Sequence, residues 1–412
     1  MSSRKKYDLY KHGAGYSKYL APFQKLKYPM KKYALVLSGG GFRGAFQLGA
    51  INYLAEHWSE LTGLDTPMKF DIIAGVSAGS LNGVMLAMNK LDQLNELWNE
   101  ISEKGAEVIY TSPFFEAEND QLTLKLDKGN LKDILLPDFK IKLSLSDVIK
   151  YVAGGKKRKS VINGIINDAV DEVSQNFSSL KSVADNSPLR ERLEGLLDKD
   201  SIVGTKYLCG FVSLNDGKYY ASSNEDFDDN RSFINAVFAS TCMPIVWSPV
   251  SNIQHDGRNL SALVDGGIKN ISPLGDVINA INQDGDTAEY EVFVINCGNG
   301  VNLPVDAKNF NIAEIALRSL YEISFAEIFK NDLEQFLQIN QLVKQAKENG
   351  YDKELFYYDN KKNRLTNRTI KNFTTRVIQP SIGLDLGNPL VAGKELIKRR
   401  MYLGYEQAKA IF

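Results

Sequence analysis

Cysteine and histidine are scarce in this sequence, which limits the chemistry open to it. The 412 residues include three cysteines, odd in number and widely spaced: Cys209, Cys242 and Cys297. A disulfide framework and a zinc-ligand spacing are both missing, a pattern typical of a reducing compartment. There are also only three histidines, so the residue type that most often acts as a general base in catalysis is rare here.

Long apolar runs and an excess of one charge are missing as well. No stretch approaches the roughly 18 apolar residues of a membrane-spanning helix, and the amino terminus lacks the apolar core of about 7 to 15 residues found in signal peptides. We therefore expect a cytoplasmic protein. The 49 basic and 50 acidic residues give a net charge of -1, so no overall field attracts nucleic acid and we expect no nucleic-acid partner.

Positive charge is concentrated at the amino terminus. Residues 1–32 contain nine Lys or Arg residues and one acidic residue, Asp8. Two interpretations are open for this basic arm: a solvated tail, or contact with anionic lipid headgroups, to which each basic residue contributes about 1 kcal/mol. We predict that the arm and a second basic run, residues 156–159, promote peripheral docking on membranes. Tyrosines are interleaved with the basic residues of the arm: Tyr7, Tyr10, Tyr16, Tyr19 and Tyr28.

Apolar runs followed by turns and helices predict an α/β fold. Residues 33–38 form a continuous apolar run typical of a strand covered on both faces, and a glycine-rich turn and a helix from Ala45 follow. The same order recurs with a strand at residues 70–75, a sharp turn and a second helix. Two such units favour a sheet with helices on its faces and a binding site at the carboxyl ends of its strands.

Residues 33–412 are predicted to form one elaborated domain, because no repeat or low-complexity linker divides them. Within it, residues 109–200 are rich in charge and short helical patterns, so we predict a helical insertion or cap there. Periodicity predicts further strands at residues 205–214, 217–223, 259–265 and 290–296, and amphipathic helices at residues 312–347 and 394–411.

The second turn carries the pattern G-V-S-A-G, from Gly75 to Gly79, which matches a nucleophile elbow. On such a turn the hydroxyl of Ser77 is exposed, and the glycines leave room for the backbone and for an acyl group. The helix that follows points its first N–H groups at the same place, where an oxyanion would form. The pattern also occurs in ordinary turns, but its position between a buried strand and an apolar helix favours the functional interpretation.

The first turn, S-G-G-G-F-R-G, fits two kinds of site. Gly39, Gly41 and Gly44 satisfy the G-x-G-x-x-G pattern of dinucleotide-binding folds. Those folds also need a carboxylate at the end of the second strand, and Asp65 lies before that strand instead. Alternatively, the N–H groups of three consecutive glycines can converge on a tetrahedral oxyanion. Arg43 could position a phosphate headgroup or pair with a carboxylate.

A serine nucleophile needs a base, and no histidine is well placed to serve. His12 lies in the basic arm, and His57 lies about 20 Å along the first helix at roughly 1.5 Å per residue. His255 lies in a predicted hairpin turn, at the opposite end of the 259–265 strand from Asp265. The carboxylate of Asp265 remains, at the carboxyl end of that strand, where the serine turn also opens. An ordinary Asp-Gly turn is the alternative interpretation.

Together these motifs resemble those of the patatin-like phospholipase family. S-G-G-G-F-R-G is similar to its glycine-rich oxyanion loop, G-V-S-A-G to its nucleophile elbow, and V-D-G-G, with Gly266 and Gly267, to its catalytic aspartate motif. Residues 239–250 resemble the Ala-Ser-rich segment before the aspartate strand. The sequence departs from the family pattern at Ser38, where aspartate is common, and at Gly267, where alanine is frequent.

The resemblance spans roughly residues 33–412 and implies a three-layer α/β/α hydrolase with a mostly parallel central sheet. It implies a lipid acyl hydrolase of the phospholipase A type, which cleaves a phospholipid or another acyl ester through an acyl-enzyme and needs no metal or cofactor. Ser77 would be the nucleophile and Asp265 the base. Gly39, Gly40 and Gly41 would form the oxyanion hole, supported by Arg43, Gly44, Gly75, Gly79, Gly266 and Gly267. A soluble esterase or thioesterase with the same dyad and a nucleotide-binding regulatory domain remain as alternatives.

Overall fold

A seven-stranded sheet organises the part of the chain that the computed structural model describes. Most of the basic arm, the basic run at residues 156–159 and much of the predicted insertion lie outside that part. The structure describes residues 31–118, 121–124, 163–164, 167–168, 181–284, 288–302, 304–308, 310, 315–316, 318–351, 356–359, 364–367 and 373–412.

Strands and helices alternate along the chain, which confirms the predicted α/β fold. The strands are β1 (Lys31–Leu37), β2 (Ile72–Val76), β3 (Phe115–Glu118), β4 (Gln121–Leu124), β5 (Lys206–Ser213), β6 (Tyr219–Ser223), β7 (Ile253–His255), β8 (Arg258–Leu260), β9 (Leu263–Asp265), β10 (Glu289–Ile295), β11 (Phe356–Asp359), β12 (Arg364–Asn367) and β13 (Thr374–Ile378). The helices are α1 (Gly44–Glu56), α2 (Trp58–Thr62), α3 (Ala78–Ala87), α4 (Leu91–Lys104), α5 (Ser187–Leu196), α6 (Asn230–Thr241), α7 (Leu274–Gln283), α8 (Phe325–Glu348) and α9 (Lys394–Ile411). A π-helical segment, Arg318–Ser324, precedes α8.

The central sheet is mostly parallel, as expected. Its strands lie in the order β13, β10, β1, β2, β5, β6, and the first five of these are parallel to one another. β6 and the short strand β9 both pair with β5 in the antiparallel direction. The carboxyl ends of β1, β2 and β10 therefore lie at one edge of the sheet, which is where ligands bind in open α/β folds.

Helices cover both faces of the sheet, so the molecule has three layers. Side chains alternate along β1: Leu35 and Leu37 pack into a core shared with α1, α3, α4, α6 and α9. Ala34 and Val36 pack into a second core shared with α7 and α8. All four side chains are fully buried, which explains why the first strand is a continuous apolar run.

The prediction of a single strand at residues 259–265 is wrong. The structure has β8 and β9 there, separated at Ala262, whose φ of 55° lies in the left-handed region. β8 pairs with β7 in a hairpin, whereas β9 pairs with β5. Because of this interruption, the two halves of the segment pair with different strands, and the second half places Asp265 in the central sheet.

The structure describes the last two residues of the predicted arm and several parts of the predicted insertion. β1 begins at Lys31, within the predicted arm, and Lys31 and Lys32 form ion pairs with Glu291 and Asp284 at 3.1 and 2.7 Å. Within the predicted insertion, the described residues include the β3–β4 hairpin and helix α5. Among the helices that the structure describes, none is both long and apolar enough to cross a membrane.

Candidate active site

The G-V-S-A-G segment forms a sharp turn between β2 and α3, as its spacing predicts. Ser77 is the residue between the two elements, with φ 56° and ψ -128°, a backbone conformation that L-residues rarely adopt. A Cβ atom on Gly75 would lie 2.2 Å from the carbonyl oxygen of Gly79, and one on Gly79 would lie 2.2 Å from the carbonyl oxygen of Leu37, so both positions need glycine. The Ser77 N–H donates to Ser240 Oγ at 3.0 Å, which fixes the turn from the end of α6.

The glycine-rich segment after β1 lies beside this turn. The Gly39 N–H donates to the Ile271 carbonyl oxygen at 2.8 Å and is therefore occupied. Among the described residues, no group accepts a hydrogen bond from the N–H of Gly40 or Gly41. Gly41 has a φ of 54°, and a Cβ atom there would lie 2.4 Å from the carbonyl oxygen of Pro389. Two backbone donors of this segment thus remain available for a ligand.

Buried polar side chains form hydrogen bonds with the residues at both ends of the glycine-rich segment. Ser38 Oγ accepts the Cys297 N–H at 2.8 Å and so links the ends of β1 and β10. Gln47 Nε2 donates to the Ser38 carbonyl oxygen at 2.8 Å. Asn82 Nδ2, on α3, donates both to Gln47 Oε1 at 2.9 Å and to the Gly44 carbonyl oxygen at 3.1 Å. A hydrogen-bonded chain therefore connects the helices after the two turns.

Strand register explains why Asp265 lies next to Ser77. On β5, Gly210 is paired with Val76 at the end of β2, and the next residue, Phe211, is paired with Asp265 at the end of β9. β2 and β9 run in opposite directions, so their carboxyl ends meet beside β5. Gly266 follows at a point where a Cβ atom would lie 2.5 Å from the Gly210 carbonyl oxygen.

The Asp265 carboxyl group is completely enclosed. Its Oδ1 accepts the Gly267 N–H at 2.7 Å, whereas Oδ2 is buried and has no partner that meets hydrogen-bond geometry among the described residues. Burial raises the pKa of Asp265 to about 7, against the opposing effects of the Gly267 N–H and the Ser77 hydroxyl. The Ser77 hydroxyl therefore lies near the carboxyl group without meeting hydrogen-bond geometry to Oδ2. Catalytic hydrogen bonds are often poorly aligned before substrate binds.

These groups face one cavity, here called the front cavity, of about 270 Å³. Its walls include Gly40, Arg43, Ser77, Asp265, Arg318 and Tyr321. Arg43 Nε donates to the Gly387 carbonyl oxygen at 2.8 Å, and burial lowers the pKa of its guanidinium group. Arg318 forms an ion pair with Glu322. Arg43 has no carboxylate within ion-pair distance among the described residues, so the expected alternative of a carboxylate partner is not observed.

The described histidines lie away from the front cavity. His255 Nε2 shares a hydrogen bond of 2.7 Å with Ser222 Oγ, and its ring packs edge to face with Tyr220 and Phe227. His57 Nδ1 lies 3.1 Å from Glu60 Oε2 at the end of α1. His12 lies outside the described residues. The position that would hold a carboxylate in a dinucleotide-binding fold, at the end of β2, is occupied by Ser77.

Two residues at this site were missed by sequence reasoning. Ser240, which accepts the Ser77 N–H, belongs to the segment at residues 239–250, but its spacing does not show which backbone group it binds. Tyr321, from the π-helical segment, reaches the front cavity and donates to the Pro244 carbonyl oxygen. Burial, together with the nearby charge of Asp265, raises the pKa of Tyr321, so the phenol is neutral. No local pattern marks this tyrosine.

Comparison with known proteins finds a matching family and similar solved structures. The family model described as Patatin-like phospholipase matches residues 35–278. Among solved structures, VipD from Legionella pneumophila is similar, with 15% identity, a TM-score of 0.37, and coverage of 93% of this chain and 67% of that chain. The ExoU–SpcU complex from Pseudomonas aeruginosa is similar with 16% identity, a TM-score of 0.23, and coverage of 75% and 52%. No curated protein matches the sequence.

The family match confirms the resemblance that the three motifs indicate. It covers more than half of the chain and includes the glycine-rich segment, the Ser77 turn and Asp265 in their order along the sequence. The three-layer architecture and the mostly parallel sheet are those that the resemblance implies. This chain belongs to the patatin-like phospholipase family and is, at the level of that family, a lipid acyl hydrolase.

Proposed function

We propose that the chain is a phospholipase of the A type, in which Ser77 and Asp265 form a catalytic dyad. The observation that carries this proposal is that both side chains are buried and line the same cavity as Gly40 and Gly41, whose N–H groups donate to no group within the described part of the chain. Nucleophile, base and oxyanion donors are the parts that acyl transfer needs, and they converge here.

The reaction uses these groups in sequence. Ser77 Oγ attacks the ester carbonyl carbon, and its proton passes to Asp265 Oδ2, the oxygen that has no hydrogen-bond partner among the described residues. The negative charge that develops on the carbonyl oxygen is stabilised by the N–H groups of Gly40 and Gly41. The C–O bond to the alcohol then breaks, and Asp265 returns the proton to the departing alcohol. Water attacks the acyl-enzyme by the same steps and releases the fatty acid.

Enclosure makes a lone carboxylate effective as a base. In water an aspartate has a pKa near 3.9 and is a weak proton acceptor. Burial raises the pKa of Asp265 to about 7, near the middle of the range in which a general base works efficiently. The Gly267 N–H meanwhile holds Oδ1 and so directs Oδ2 toward the serine.

The guanidinium group of Arg43 in the front cavity favours a phospholipid over a neutral ester. Arg318 also lines this cavity but is paired with Glu322. Arg43 has no carboxylate within ion-pair distance among the described residues, and a guanidinium group is well suited to phosphate. A soluble esterase or thioesterase with the same dyad is the second candidate. Purified protein should therefore be assayed on phosphatidylglycerol in mixed micelles and on p-nitrophenyl butyrate, and treated with a fluorophosphonate probe. Labelling without phospholipid hydrolysis would favour the soluble esterase, and the absence of both would reject the serine mechanism.

The oxyanion role of Gly41 leads to a specific prediction. Gly41→Ala should lower the rate of ester hydrolysis about tenfold or more, because its Cβ would lie 2.4 Å from the Pro389 carbonyl oxygen and displace the N–H. Gly217→Ala is a matched control: Gly217 has a similar φ of 66°, and nothing lies within 4 Å of its Cβ position. The control should lose about 1 kcal/mol of stability and keep its activity. Equal activity of the two variants would contradict the assignment.

The raised pKa of Asp265 predicts the pH dependence of the reaction. The base must be deprotonated, so kcat/KM should fall about tenfold per pH unit below pH 7 and level off above it. Measurement between pH 5 and 9 checks this. Asp276, whose pKa burial raises to about 6, lies outside the front cavity, and Asp276→Asn should leave the inflection in place. A rate that stays constant down to pH 5 would contradict the role of Asp265.

Membrane docking is proposed as the function of the basic arm. The net charge of residues 1–32 and their interleaved tyrosines support contact with anionic headgroups, which would bring the enzyme to its substrate. Residues 156–159 would add to the same attraction, and salt would weaken it.

A further inference from the structure

The side chain of Asp265 faces the front cavity but is almost fully covered. Asp265 is one of the residues in the cavity wall, yet only 1% of its surface is exposed. Its Oδ2 has no hydrogen-bond partner among the described residues. Water from the front cavity would hydrate this oxygen and lower the pKa of the carboxyl group. The groups that keep water out therefore decide how strong a base Asp265 is.

Phe325, the first residue of α8, lies beside the carboxyl group. A Cβ atom on Gly267 would lie 3.0 Å from Asp265 Oδ1 and 3.2 Å from Phe325 Cε2, so the carboxyl group and the ring flank the same glycine. Phe325 also belongs to the wall of the front cavity. An apolar ring in this position offers no hydrogen bond and excludes water from one side of the carboxyl group.

Tyr321, from the π-helical segment, lies next to Phe325. The two rings meet edge to face, with centroids 5.2 Å apart and planes at 90°. Tyr321 is only 6% exposed, whereas its neighbours Leu320 and Ile323 are 41% and 49% exposed, so the segment turns the tyrosine inward. The charge of Asp265 helps to raise the pKa of Tyr321, which agrees with a position close to the carboxyl group.

The hydroxyl group of Tyr321 is bonded to the backbone instead of to Asp265. It donates to the carbonyl oxygen of Pro244, in the segment after α6. In the same segment, the Cys242 carbonyl oxygen accepts the Asp265 N–H at 2.9 Å, so one stretch of backbone holds both the tyrosine and the aspartate. A hydroxyl that donated to the carboxylate would favour its charged form and lower its pKa. The tyrosine thus covers the base without weakening it.

The other titratable groups that the charge of Asp265 affects are neutral in the pH range of the proposed reaction. They are the thiols of Cys209 on β5 and Cys242 after α6, and the phenol of Tyr321. Burial raises the pKa of both thiols to about 12 and that of the phenol above its usual value of 10.0. The charged side chains in the cavity wall make no contribution to the raised pKa of Asp265: Arg43, Arg318, Glu322 and Asp385.

We propose that Tyr321 and Phe325 are positioning residues for the proton transfer, because they exclude water from Asp265 and so keep it an effective base for Ser77. This rests on the proposed function, since it takes Asp265 as the base. Both rings lie beyond residues 35–278, which match the family model. The base thus belongs to the matched part of the chain, and its cover belongs to the part that follows.

Removal of one ring should move the pH profile of the free enzyme, which kcat/KM reports. In Tyr321→Ala water reaches the carboxyl group, so the inflection should move from about pH 7 downward by about one pH unit or more. Tyr321→Phe keeps the ring and loses only the bond to Pro244, so its inflection should stay near pH 7. An unmoved inflection in a folded Tyr321→Ala protein would overturn the proposal.

Tyr290→Ala is the matched control for the loss of a buried tyrosine. Tyr290 is 5% exposed, its hydroxyl donates to Asp284 Oδ2, and it does not line the front cavity. This variant should lose stability, as Tyr321→Ala should, and leave the inflection in place. An equal shift of the inflection in both variants would mean that it reports loss of stability and would overturn the proposal.

Denaturant unfolding tests the cover without catalysis. Asp265→Asn is made with and without Tyr321→Ala, and its effect on the unfolding equilibrium constant is measured at pH 5 and pH 8. With Tyr321 present, that effect should change about a hundredfold between the two pH values, because the pKa of Asp265 is about 7. In the Tyr321→Ala background it should change about tenfold or less, since each unit of pKa is a factor of ten.

The outcomes separate this proposal from the proposed function. Equal pH dependence of the Asp265→Asn effect in both backgrounds would overturn the cover, whatever the activity assays show. A smaller pH dependence without the ring, together with full activity of Asp265→Asn, would support the exclusion of water and reject Asp265 as the base. If Tyr321→Ala does not fold, Phe325→Ala, at a partly exposed ring, gives the same two measurements.

Discussion

Ser77→Ala is expected to abolish ester hydrolysis, with a loss on the order of 10⁴- to 10⁶-fold, as when the nucleophile of another serine hydrolase is removed. The fold should persist, because the substitution removes a hydroxyl group while the Ser77 N–H keeps its bond to Ser240 Oγ. Hydrolysis in mixed micelles measures the activity, a fluorophosphonate probe measures the reactivity of the nucleophile, and circular dichroism checks the fold. The variant should no longer be labelled.

Ser80→Ala is the matched control for the loss of a hydroxyl group. Ser80 lies one turn further along α3, is fully buried, and donates to the Ser77 carbonyl oxygen at 2.8 Å. It does not line the front cavity. This variant should lose about 1 kcal/mol of stability and keep most of its activity. A folded Ser77→Ala protein that retains substantial activity would exclude the serine mechanism.

Asp265→Asn should lose nearly all activity and gain stability at the pH where the enzyme works. Asparagine has almost the same size, and its Oδ1 can still accept the Gly267 N–H, but it cannot take the proton of Ser77. Loss of the base should lower kcat by several orders of magnitude. The gain in stability arises because the native enzyme keeps a charged carboxylate in a fully buried position.

The sign of the stability change follows from proton linkage. The pKa of Asp265 is about 7 in the folded state, above the value of 3.8 expected when it is exposed, so the native state binds the proton more tightly. This contribution stabilises the protein fully below pH 3.8 and is lost as the pH rises through 7. At pH 8 the loss is on the order of 4 kcal/mol at most, at 1.36 kcal/mol per pKa unit. Asp265→Asn removes this dependence.

Denaturant unfolding at pH 5 and pH 8 tests the linkage. The free energy of unfolding of Asp265→Asn should exceed that of the unsubstituted protein at pH 8, and the difference should shrink at pH 5. An equal difference at both pH values would mean that the Asp265 pKa is not raised. Normal activity of the Asp265→Asn protein would exclude Asp265 as the base.

His255→Ala distinguishes the dyad from a triad. His255 bonds to Ser222 and packs among aromatic rings, away from the front cavity, so its loss should lower stability and leave kcat nearly unchanged. A severe loss of activity in a folded His255→Ala protein, with Asp265→Asn still active, would overturn the dyad.

The sequence by itself determined the local geometry around Ser77. A buried strand, a turn and an apolar helix follow one another between Ile72 and Ala87, and the close approach of Gly75 to Gly79 joins residues only four positions apart. Steric limits between residues close in the chain can be recognised in the sequence, because they require glycine at fixed spacings. The α/β class follows from the same alternation of strand and helix periods, whereas the mostly parallel sheet was implied by the family resemblance.

The tertiary structure alone decided how the distant groups meet. Asp265 reaches Ser77 because β9 continues along the edge of β5 where β2 ends, which required the chain to break at Ala262. Neither this register nor the bond from Ser77 to Ser240 leaves a local pattern, since both depend on pairings between remote segments. The raised pKa of Asp265 depends in turn on burial by elements from many parts of the chain. Local patterns therefore identify the reacting groups, whereas long-range packing sets their positions, their protonation and the space around them.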